Sequence, residues 1–122
     1  VIATGLMVHT AIEAEAILKN EGISARVIDM HTLKPIDEEL IIRSARETGA
    51  LVTVEEHNIF GGLGSAVSEV LVQNCPVPLK MVGIEDRFGK SGKPDELLRE
   101  YGLTPQNIAG KAKQAMLMKT KL

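Results

Sequence analysis

The sequence predicts an α/β protein built on a parallel sheet, and three observations predict it. Short β-branched or apolar runs recur at 1–4, 25–30, 51–55 and 79–84. Amphipathic segments of ten or more residues lie between them, the alternation that parallel strands need for their crossovers. The chain has 122 residues, 44% of them hydrophobic, which is the size of one ordinary domain with enough apolar side chains for a core. We therefore expect residues 1–122 to form a single domain.

Each element has its own local signal. The first helix is expected over 8–20, with Val8, Ala11, Ile12 and Leu18 toward one side, although Glu15 interrupts the stripe and Ile17 lies off it; Gly22 ends it. The second opens at "PIDEEL", where Asp37 can cap free N–H groups and Glu38 and Glu39 favour the positive end of the helix dipole; Gly49 marks its stop. The third shows the cleanest spacing, with Leu63, Ala66, Val67, Val70 and Leu71 on one face before "NCPVP" breaks it. After the fourth strand, a short helix is expected over 94–101, stopped by Gly102. A last one is opened by Thr104 and Pro105 as cap and first residue, with Ile108, Ala112, Ala115 and Met116 on one face.

Composition excludes several function classes. The net charge is −2 with acidic and basic residues well mixed, and the only aromatic residues are Phe60, Phe88 and Tyr101. Neither a basic stripe nor a base-stacking platform is visible, so no nucleic-acid partner is expected. Cys75 is the single cysteine and cannot form an internal disulfide, and no apolar run approaches the roughly 20 residues of a membrane helix. The chain reads as cytoplasmic, with no membrane partner. It opens on "VIATG", without a methionine and in mid-strand, so a fragment or processed piece of something longer is expected.

"GKSGKP", following the fourth strand, has the look of a phosphate-binding P-loop, but its register is wrong. Five residues, rather than four, separate Gly83 from Gly89, and Pro94 places the helix start beyond Lys90 and Ser91. The denser stretch is "EEHNIFGGLGSAV", a strand ending in Glu55, Glu56 and His57, then a glycine loop, then a helix. Ligands of open parallel sheets gather at such strand ends. Gly62 and Gly64 give only G-x-G, with Val67 where a dinucleotide fingerprint has its third glycine. The plainer reading of these glycines is a tight turn and a close helix–sheet approach. The N–H groups at 63–66 also offer an anion a helix N-terminus. Glu55 and Glu56 are neighbours on a strand and face opposite ways, so they do not converge on one reacting atom as an acid–base pair. His9, His31 and His57 fall on three elements without metal-ligand spacing, there is no G-x-S-x-G elbow, and Cys75 has no evident base beside it. The residues supply no self-sufficient catalytic, cofactor or metal site. Glu55, Glu56, His57, Gly62, Gly64 and Ser65 remain as candidates for an interdomain or anion contact.

Four ordered blocks, "IATGLMVHTAIEA", "GISARVIDMHTLKPID", "EEHNIFGGLGSAVSEVL" and "DRFGKSGKPDELLREYGLTPQNI", together resemble the C-terminal domain of transketolases and their thiamine-diphosphate-dependent relatives. Deoxyxylulose-phosphate synthases and the beta subunits of 2-oxo-acid dehydrogenases share the K-P-x-D and E-E…G-G-x-G blocks. The S-G-K-P-x-E-L-L-x-x-Y-G-L block resembles transketolase specifically. The resemblance implies three layers, helices on both sides of a sheet of four parallel strands in the order 2-1-3-4. The family's antiparallel edge strand would fall before Val1, leaving an edge open to pairing with another chain.

The resemblance also implies that the thiamine diphosphate and magnesium of the whole enzyme are held by two other domains, neither of them in this chain. No G-D-G motif is present, and no cofactor is expected to be bound here. Three readings follow: an assembly domain of a transketolase, partnered by its N-terminal and pyrimidine-binding portion in a homodimeric enzyme; a regulatory module binding phosphate or a nucleotide at 59–64; or a partner-binding domain of a synthase or dehydrogenase.

Overall fold

The four apolar runs pair side by side in the computed structural model, which describes residues 1–31, 33–59, 61–84 and 98–119. The strands are β1 (Ile2–Ala3), β2 (Ile28–Asp29), β3 (Leu51–Asn58) and β4 (Leu79–Ile84). They form one sheet in the order β2-β1-β3-β4, every neighbour parallel. Ile2 stands between Ile28 and Thr53, and Ala3 between Asp29 and Val54, so β1, first in the chain, is paired on both sides as the expected order 2-1-3-4 requires. The first two strands are shorter than their apolar runs, although single hydrogen bonds extend the ladders: Ile28 donates to Val1, Met30 to Ala3, and Thr4 to Val54. β3 runs three residues past Glu55, with a register shift against β4 between Val54 and Asn58.

The helices are α1 (Met7–Asn20), α2 (Glu38–Thr48), α3 (Leu63–Asn74) and α4 (Pro105–Lys119). Their ends carry the expected chemistry. Asp37 accepts the amide of Leu40 at 3.1 Å, and Gly49 stops α2 in the left-handed region at φ 77°. Thr104 Oγ1 accepts the amide of Asn107 at 3.2 Å at the start of α4. Residues 98–100 are helical, ended by Gly102 at φ 73°. The expected start of that helix at Pro94, and the GKS segment, lie outside the described residues.

One helix face differs from expectation. α1 buries Met7, Ala11, Ala14 and Leu18, spaced four, three and four apart, while Ile12 is 49% exposed. Including Met7 rotates the buried stripe by one position, so Ile12 turns outward and Glu15, which interrupted the expected stripe, lies beside the packed face. In α4 the buried set is Ile108, Ala109 and Ala115, with Ala112 and Met116 half-buried.

Two cores, one on each face of the sheet, complete the three layers. Ile2, Ile28, Leu51 and α2 and α3 residues such as Ile41, Leu63 and Val67 pack on one face. Ala3, Val52, Val54 and Val82 pack with Met7, Ala11 and Ile108 of α1 and α4 on the other. The two-residue side-chain period of β3 drives this division, and it sends Thr53 and Glu55 toward α3. After β1 the chain turns to one face and after β3 to the other, so the strand order reverses between these neighbours. That reversal opens a crevice at their carboxyl ends.

Candidate functional site

Glu55 is 1% exposed and is among the residues lining the crevice. Oε1 accepts the amide of Leu63 at 2.9 Å and Oε2 accepts that of Gly64 at 2.8 Å. The first amides of any helix lack intrahelical partners, and the residue before α3 is Gly62, which has no side chain to cap them. Glu55 reaches across from the strand to do so, and the helix dipole favours its negative charge there. Glu56, the next residue, is half-buried on the other side of the strand, and His57 follows it on β3.

The glycine loop is held by its own side chain and by a close approach. Ser65 Oγ donates to the carbonyl of Ile59 at 2.9 Å and accepts the amide of Gly61 at 2.9 Å, closing the turn. Gly61 has φ 82°, a conformation that favours glycine. Gly64 has ordinary helical backbone, yet a Cβ there would lie 2.8 Å from Met81 Sδ and 3.1 Å from Thr53 Oγ1. The turn therefore belongs to Gly61 and the close helix–sheet approach to Gly64. Glu55, Gly62, Gly64 and Ser65 come together as one unit around the start of α3.

The crevice has a volume of about 690 Å³ and is lined by the ends of three strands and the loop: Thr4 and Gly5 after β1, Asp29, Met30, His31 and Leu33 around the end of β2, and Glu55 with Gly61, Gly62 and Leu63. No lysine or arginine is among these lining residues. His31 Nδ1 is 3.7 Å from Asp29 Oδ1, with the imidazole 82% exposed. Thr4, Gly5 and Asp29 were not singled out in the sequence; the signal that could have found them is their place just past strand ends on either side of the order reversal. A second hollow of about 630 Å³ opens at the amino ends of the strands, but its charges are already engaged: Arg26 pairs with Glu47, and Lys119 donates to the carbonyl of Thr48 at 2.9 Å.

Chemically, the arrangement already uses two of the amides with which such folds usually hold anions. The Leu63 and Gly64 amides that a phosphate would use already serve a carboxylate. Among the described residues, no group of three or more His, Cys, Asp or Glu could hold a metal ion. The described residues of this crevice thus offer a diphosphate and its magnesium ion neither the Leu63 and Gly64 amides nor a group of three metal ligands.

With this geometry in hand, the relatives are informative. The family model described as "Transketolase, C-terminal domain" matches residues 1–108. A 6-deoxy-6-sulfo-D-fructose transketolase subunit of Clostridium sp. (strain MSTE9) is 50% identical over 108 residues, 88% of this chain and 34% of that protein. A 1-deoxy-D-xylulose-5-phosphate synthase of Heliobacterium modesticaldum is 44% identical over 115 residues, 93% of this chain and 18% of the synthase. A solved structure described as a split gene transketolase, an inactive beta4 tetramer, superposes with a TM-score of 0.93 at 51% identity, covering 97% of this chain and 39% of that one. The chain thus spans about a third of the length of the transketolase subunit it matches. No described helix is long and apolar enough to cross a membrane.

Proposed function

The chain belongs to the transketolase C-terminal domain family, and from that membership we propose that it is the assembly domain of a transketolase. In this reading the whole enzyme moves a two-carbon ketol unit between sugar phosphates, in the chemistry of the pentose phosphates. Thiamine diphosphate and magnesium are bound by the N-terminal and pyrimidine-binding portion, with which this domain associates in a cytoplasmic oligomer, a homodimer of the complete enzyme. The chain alone does not catalyse the transfer.

The observation that carries the reading is the likeness to a split-gene transketolase chain, close in both backbone and sequence. The site is consistent with it. Glu55 and Ser65 hold the glycine loop from within, so in this reading Gly62 and Gly64 serve a strand-end surface rather than a bound cofactor. In this reading Glu56 and His57, near the end of β3, contact the neighbouring domain. The phosphate- or nucleotide-binding reading is disfavoured because Glu55 occupies the amides such a ligand would need. The synthase reading shares the fold, and the tail block ending in "LREYGL" favours transketolase over it.

The test is association. Mixed with the upstream transketolase polypeptide of the same organism, this chain is expected to co-elute with it on size exclusion at a defined stoichiometry. Separate elution of two folded partners at all concentrations would overturn the reading.

A further inference from the structure

We draw no further inference here: the strongest candidate, the hollow of about 630 Å³ at the amino ends of the strands, lined in part by Ser44, whose buried hydroxyl has no hydrogen-bond partner among the described residues, is bounded by Val1, and nothing in the structure shows what fills it.

Discussion

Glu55 Oε2 and the amide of Gly64 meet at 2.8 Å, joining the end of a buried strand run to the first turn of the helix nine residues on. This contact ties the helix that follows the glycine loop to the end of β3. The carboxylate supplies the charge that a helix N-terminus attracts, and the chain supplies it itself. Glu55→Gln retains one acceptor but turns an NH₂ group toward an amide donor, which is expected to cost about 1 to 3 kcal/mol in urea unfolding. Glu55→Ala leaves two buried amides unpaired beside a void and is expected to cost about 2 to 4 kcal/mol. It should also uncover an anion site, so phosphate ought to raise the melting temperature of Glu55→Ala and not of the wild type.

Gly64 owes its identity to space rather than to backbone conformation. A Cβ would sit 2.8 Å from Met81 Sδ and 2.9 Å from Met81 Cγ. Gly64→Ala is expected to destabilise by about 1 to 3 kcal/mol through overpacking. The added methyl should cost less in a Met81→Ala background, and a double-mutant cycle would read that coupling directly. Strict additivity would mean that the helix approaches the sheet differently.

The two ends of α2 make a calibrating pair. Asp37→Ala removes the acceptor of the Leu40 amide and is expected to cost about 1 kcal/mol. Gly49→Ala forces a side chain to φ 77° at the stop and crowds Lys119 Cδ, 3.3 Å from the added Cβ. Its expected cost is also about 1 kcal/mol by thermal unfolding.

Much of the fold was legible because local signals and tertiary packing agree. Asp37, Gly49 and Thr104 stand where their capping chemistry predicts, and the four apolar runs became the four strands. The α1 face was misjudged because Ile12 is more hydrophobic than Ala14, and periodicity alone cannot show that a small residue, packed close to the sheet, is the buried one. The site was half legible. Glu55 was singled out by its place at a strand end, but its bond to an amide nine residues away depends on how α3 lies on the sheet. Asp29 carried no motif at all. Only the strand order brings it beside Glu55.

The most direct test of the central claim is a coupled ketol-transfer assay, with thiamine diphosphate and magnesium present, on this chain alone and after mixing with the upstream polypeptide. The account predicts transfer in the mixture and none from either chain by itself. Transfer by this chain alone, or a silent mixture of two folded and associated partners, would contradict it.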